Sequence, residues 1–280
     1  MGFWFYLQQP FVQHALMAAA LVGLSCGLIG PFVVARGMSF AVHGTAELAF
    51  TGAAAGLLVA DNPVAGALCG SMVVAGLIAF FGSSRYQRDS AIGVVLAFGL
   101  GLGVLLLSYY NGFATAATNI LFGDIFEVSN NQLLILVGIC LVVVVSMSVA
   151  YRPLLFASID PEVAEARGVP ARALGLAFLV LLALTVTGAA QVVGTILVLS
   201  LAVTPAAAAQ QVSANPVTIT LLSVAFALVA SDGGLLASLE ASHVKPSVFV
   251  TFFSFAIYVV CRAGAALLRG RKRPAAASRD

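Results

Sequence analysis

The chain has 280 residues, 61% of them hydrophobic and only 9% charged, and its 13 Lys and Arg against 11 Asp and Glu leave a formal net charge of +2. A soluble domain runs at about 25% charged residues, so this composition excludes a soluble enzyme or binding module, and nucleic acid is not an expected partner. Several apolar runs are long enough to cross roughly 30 Å of hydrocarbon as helices. The expected fold is therefore all-α, a polytopic transmembrane helical bundle forming one domain over residues 1–270, with a basic tail over 271–280.

In chain order, the opening "MGFWFYLQQP" has no positively charged stretch and no small-residue cleavage site, so it does not read as a removable signal peptide. Trp4 and Tyr6 suit an interfacial belt, and His14 an interfacial position rather than a ligand role. Spans are expected at 11–35, 38–60, 63–82, 91–110, 132–151, 173–189, 191–211, 216–230 and 247–268, which makes eight or nine crossings. Polar joints separate them: "DNP" at Asp61, "SSRYQRD" at Ser83, "NNQ" at Asn130 and "SANP" at Ser213. Residues 111–129 are too short and polar to cross and are expected to dip in and return.

Lys and Arg concentrate on the cytoplasmic side of a membrane protein. With Arg36 inside, alternation puts Arg85, Arg88, Arg152, Arg167, Arg172 and the basic tail inside as well, and leaves only Lys245 outside. The N-terminus is then outside and the C-terminus cytoplasmic. Four G-x-x-x-G pairs, Gly23/Gly27, Gly52/Gly56, Gly66/Gly70 and Gly99/Gly103, predict close helix packing within one bundle. Pro31 and Pro205 are expected to kink or interrupt their helices. Cys26, Cys69, Cys140 and Cys261 stand alone in apolar runs and read as small core hydrophobes.

Polar chemistry inside the apolar runs is sparse. In "MSFAVHGTAELAFTGAAAG", His43 and Glu47 sit four residues apart on one helical face, with Glu47 close to the midplane when counted from Arg36. An ionisable group at that depth costs on the order of 2.5 to 3.5 kcal/mol on insertion scales. Two readings account for the pair: an imidazole and a carboxylate that meet a common ion, or a His–Glu hydrogen bond joining helices.

Elsewhere, Asp232, Glu240 and His243, with Lys245, form an outer polar group. It is expected to be a solvated loop or docking surface, with a metal vestibule as the functional alternative. Asp124 and Glu127 in "LFGDIFEV" belong to the same class. In the long cytoplasmic loop over 152–172, Asp160 can cap a short helix whose first turn carries Pro161 and Glu162, and Gly168 can end it. No G-x-x-x-x-G-K-[ST] stretch is present to cradle ATP phosphates, so energy is expected from a separate subunit or an ion gradient.

Four stretches, "RGMSFAVHG", "RDSAIGVVLAFGLGLGVLLLS", "LFGDI" and "VVGTILVLSLAVTPAAAA", resemble in order and spacing the permeases of bacterial ABC importers for zinc and manganese. The resemblance covers nearly the full chain. It implies a multi-pass permease of the bacterial inner membrane that works as a homodimer with an ABC ATPase subunit and an extracytoplasmic metal-binding protein. It further implies no catalytic residues and no permanently bound cofactor, with zinc as the expected cargo and manganese as the other candidate. Asp160, Pro161, Glu162, Ala166 and Gly168 resemble that family's coupling helix, which docks on the ATPase. The family pattern after Met-Ser has an Asp and then a His four residues on, where this chain has His43 and then Glu47, and its Pro-Gly is here Thr51 and Gly52. A siderophore- or cobalamin-type permease and a proton-coupled secondary transporter are the alternative readings.

Overall fold

The structure is a computed structural model that describes residues 9–81, 85–110, 119–123, 125–195, 197–240 and 244–271. Among the described residues the helices include, in chain order, α1 Pro10–Ala35, α2 Ser39–Ala60, α3 Pro63–Phe81, α4 Arg85–Ser108, α5 Asn130–Ile159, α6 Pro161–Ala166, α7 Ala171–Val193, α8 Val198–Val212, α9 Pro216–Ser238 and α10 Pro246–Arg271. A 3-10 turn, Ile125–Glu127, precedes α5, and no strand occurs among the described residues. Among the described residues seven helices are long and apolar enough to cross a membrane, and two shorter apolar stretches, Ile92–Ser108 and Val198–Val212, occupy the remaining expected positions.

The chain alternates between two ends. At one, the Arg36 side chain after α1 reaches Ser158 near the end of α5. At the other, Phe11 of α1 packs edge-on against Phe126 of the 3-10 turn, with ring centroids 5.9 Å apart. Lys245, before α10, lies over the Phe122 ring at that same end, 5.7 Å from its centroid.

Three boundaries differ from the sequence expectation. α5 runs on through Arg152 and Pro153 to Ile159, because Leu154 and Ala157 are buried against the bundle, so the connector after it starts at Asp160 rather than 152. α9 continues past 230 to Ser238, where Leu235 is fully buried and Gly234 lies against Val250 of α10. Neither Pro31 nor Pro205 ends its helix. The break between α7 and α8, expected at 190, falls at Gly194, whose φ of +93° a side chain would resist. Trp4, Tyr6, Asp124, His243 and the tail 272–280 lie outside the described residues.

The four glycine pairs are used inside the chain. A Cβ on Gly52 would collide with Gly66 O, and one on Gly70 with Leu48 O, so α2 and α3 approach backbone to backbone. On α1, a Cβ at Gly27 would come within 2.6 Å of Val224 Cα on α9. On α4, Gly99 and Gly103 leave room for Leu48 and Phe50 of α2. Cys26 and Cys140 are buried as expected, whereas Cys69 is exposed and Cys261 half-buried, so those two are not core residues.

Candidate metal site

α1 hands over to α2 in a tight turn. Gly37, at φ +62°, donates to Val34 O at 3.1 Å, and Met38 N donates to Val33 O at 2.8 Å. The turn places His43 little more than one turn into α2 and Glu47 one turn further, about 6 Å along the axis. α2 packs against α3 and α4 and also touches α7 and α8, which makes it an interior helix. It is also the least apolar of the seven spans, at mean hydropathy 1.2 against 3.0 for α5.

Glu47 is 4% exposed, and its Oε2 has no hydrogen-bond partner among the described residues. His43 is half-buried beside the Phe40 ring, and its Nδ1 is likewise buried without a partner. Buried polar atoms are paired in the great majority of cases, so two open ligand atoms on one helical face are unusual. The pair supplies two donors, and among the described residues no group of three or more His, Cys, Asp or Glu side chains converges. An ion held here needs further ligands from water or from a second chain.

Thr51, which stands where the resembled family has proline, ties this helix down. Its Oγ1 donates to Gly99 O on α4 at 2.6 Å and also approaches Glu47 O at 3.2 Å. Proline would have removed an N–H from α2, whereas threonine leaves the helix continuous and adds a bond across to α4.

The short helix α6 forms as its caps dictate. Asp160 Oδ1 accepts from Val163 N at 3.1 Å, Pro161 opens the first turn, and Glu162 follows it. Gly168, at φ +81°, closes the end, with Val169 N donating to Ala164 O at 3.0 Å. Only Ala164 is buried, so Pro161, Glu162, Ala166 and Gly168 face outward at the Arg36 end.

Two members of the expected outer group, Asp232 and Glu240, lie among the described residues. Asp232 lies inside α9 rather than in a loop, half-buried, with Oδ1 lacking a partner. Glu240 is exposed in the turn after α9, and His243 lies outside the described residues. What the structure does bring together is two of the motif stretches. A Cβ on Gly194 of "VVGTI" would collide with Leu121 O and Phe122 C of "LFGDI", and Thr195 N donates to Ile120 O at 3.3 Å.

Beneath that clasp lies a cavity of about 210 Å³ lined in part by Glu127, Gln132, Gln191 and Thr195. Neither Gln191 nor Thr195 is among the candidate site residues taken from the sequence. A polar amide inside an apolar run was the signal available for finding them.

The ABC 3 transport family matches residues 8–264. The manganese transport system membrane protein MntC of Halalkalibacterium halodurans is 31% identical over 82% of this chain and 79% of its own length. The manganese import system permease protein ScaB of Streptococcus gordonii is 32% identical over 80% and 81%. Among solved structures, PsaBC from Streptococcus pneumoniae in complex with Fab superposes with a TM-score of 0.85 at 27% identity, covering 95% of this chain and 98% of that one. With the motif order, the helical bundle and these matches in agreement, the chain belongs to the ABC 3 transport family, as a membrane permease of the metal ABC importer kind.

Proposed function

We propose that this permease carries a divalent first-row metal ion, manganese, past His43 and Glu47. The observation that carries the reading is the pair itself: a buried imidazole nitrogen and a buried carboxylate oxygen, both unpartnered, on one face of an interior helix. A hydrogen bond made by either of those two atoms would have taken it out of reach of an ion. Both ligand types suit manganese and zinc alike. The relatives named for manganese weigh toward that ion, so zinc, the cargo expected from the motifs, becomes the competitor in the test.

Two copies of the chain would bring two imidazoles and two carboxylates to one path, which is enough for a four-ligand site. A partial set from each copy suits a carrier that has to release what it binds. α6 is the handle for a separate ATPase subunit, through outward-facing Pro161, Glu162, Ala166 and Gly168 around the Asp160 cap. ATP hydrolysis belongs to that subunit, and an extracytoplasmic binding protein delivers the ion at the opposite end.

The Arg36 end is cytoplasmic because Arg36, Arg152, Arg167 and Arg172 gather on that side. The N-terminus then faces out and the C-terminus in, across the bacterial inner membrane. An impermeant thiol probe should label a cysteine placed near residue 9 from outside, and labelling from inside only would invert the topology.

Uptake into vesicles holding the permease, its ATPase and its binding protein tests the cargo directly. Manganese should accumulate with ATP, and equimolar zinc should leave most of that uptake in place. Accumulation of zinc in preference would reassign the cargo.

A further inference from the structure

We infer that the groove between α5 and α9 at the Arg36 end is a binding site for a phospholipid with a net negative headgroup. The groove encloses about 520 Å³, within the roughly 300 to 1,000 Å³ that bound small molecules occupy. Leu28 of α1, Met147 and Val149 of α5, and Val217 and Leu221 of α9 supply its apolar walls. Val149 and Leu221 are 79% and 67% exposed, and α5 is the most apolar of the seven spans, at mean hydropathy 3.0, so this face meets hydrocarbon.

The polar groups along the groove, with one exception, are closed. Ser148 Oγ donates to Val144 O at 2.6 Å. Thr220 Oγ1 donates to Pro216 O at 3.0 Å, so in its bond with Tyr151 Oη, also 3.0 Å, it is the tyrosine that donates. Neither hydroxyl proton of that pair is left for a ligand.

The exception is Arg152. It lines the groove, is exposed, and has no hydrogen-bond or ion-pair partner among the described residues. No Asp or Glu stands among the described residues of the lining. Ser158, which Arg36 reaches, lies six residues further along α5, or about 9 Å along the axis. With Arg36 at the membrane surface, Arg152 is therefore near the boundary between headgroups and hydrocarbon.

An unpaired guanidinium at that depth draws an anion, and the walls decide which one. Free phosphate would satisfy Arg152 and leave the apolar walls uncovered. A phospholipid does both: its phosphate takes the guanidinium in a forked pair of hydrogen bonds, and an acyl chain lies along Val149 and Leu221. A zwitterionic headgroup carries its own ammonium, which competes with Arg152 for the phosphate, whereas a net negative one leaves the phosphate to it. The cytoplasmic leaflet follows from the orientation proposed above; the site itself depends only on α5 and α9 crossing the bilayer, and not on which ion is carried.

Photocrosslinking of the full chain tests this in phosphatidylcholine nanodiscs holding a small proportion of phosphatidylglycerol with a diazirine on one acyl chain. Mapped by peptide mass spectrometry, labelling should concentrate around Val149 and Leu221. Unlabelled phosphatidylglycerol should compete it away, and inorganic phosphate should not. The same diazirine carried on phosphatidylcholine should label the groove about tenfold less, and Arg152→Gln should lower labelling by phosphatidylglycerol to a similar extent, through loss of the charged hydrogen bonds. Arg152→Lys should retain most of it. Leu221→Trp, which fills the groove and leaves the charge in place, should lower labelling of α5 as well.

Equal labelling by the two probes overturns the inference, the groove then holding ordinary boundary lipid. So does labelling that Arg152→Gln leaves unchanged, displacement by inorganic phosphate, or a groove left unlabelled because a second copy of the chain covers it. Arg152 and Leu221 are both exposed, so neither variant removes core packing, and either one alone decides the matter.

Discussion

Around Arg36 the polar groups close on one another, and around His43, seven residues on, they do not. Arg36 Nε donates to Ser158 Oγ at 2.7 Å, and its guanidinium lies 5.0 Å from the centroid of the buried Phe178 ring. Ser158 Oγ in turn donates to Leu154 O at 2.5 Å. Nearby, Tyr151 Oη and Thr220 Oγ1 share a bond of 3.0 Å, and the Tyr151 ring meets Phe32 edge-on. That junction ties α1, α5, α7 and α9 together, and its polar atoms serve each other. His43 Nδ1 and Glu47 Oε2 are shielded from solvent and have no hydrogen-bond partner among the described residues. Polarity buried to hold a bundle is spent on the bundle, whereas polarity kept for a passing ion has to stay open and carries its desolvation cost until the ion arrives.

The difference predicts opposite mutational signatures, the largest at the open pair. Glu47→Ala and His43→Ala should each lower metal uptake at least about 100-fold per assembled complex, a transition-state loss of roughly 2.7 kcal/mol or more. Insertion and assembly should be unaffected, since alanine is cheaper in lipid than either native residue. Near-normal uptake per complex in both variants would put the pair in the same class as the Arg36 junction.

At α6 the effect should be intermediate. Glu162→Lys reverses a charge on the outward face of α6, the proposed ATPase handle, and should reduce uptake about tenfold while the chain itself stays folded, because Glu162 is exposed and Ala164 holds the helix in place. Co-purification with the ATPase reads the docking, and an unchanged yield together with unchanged transport would remove α6 from the interface.

The smallest functional effect should come from Arg36→Ala. Loss of a charged hydrogen bond and a cation–π contact should cost about 2 kcal/mol of stability, visible as a lower unfolding temperature in detergent, with uptake per assembled complex close to native. A stable variant that fails to transport would move Arg36 from scaffold to mechanism.

Much of this architecture was legible before folding. Apolar run length located nine helical segments, because lipid forces each one to satisfy its own backbone. The caps of α6 were legible as well, since Asp160, Pro161 and Gly168 act on their immediate neighbours. What could not be read was set at a distance. α5 and α9 overran their expected ends because Leu154 and Leu235 found burial against other helices. The α7–α8 break sits at Gly194, a little beyond the joint expected at 190, because Gly194 has to admit the backbone of Leu121 and Phe122. The openness of His43 and Glu47 was likewise invisible. Spacing put both on one face, but only the packing of α2 leaves His43 Nδ1 and Glu47 Oε2 buried without a partner among the described residues.

The central claim, that the open pair is the ion's ligand set, is tested most directly by looking at the ion's own neighbours. Electron spin echo modulation of Mn²⁺ bound to the chain in nanodiscs, with cobalt(III) hexammine present to clear hydrated ions, should show ¹⁴N coupling from a directly bound imidazole. That coupling should disappear in His43→Ala. A bound Mn²⁺ without ¹⁴N coupling in the native chain, or one whose coupling survives His43→Ala, would contradict the assignment.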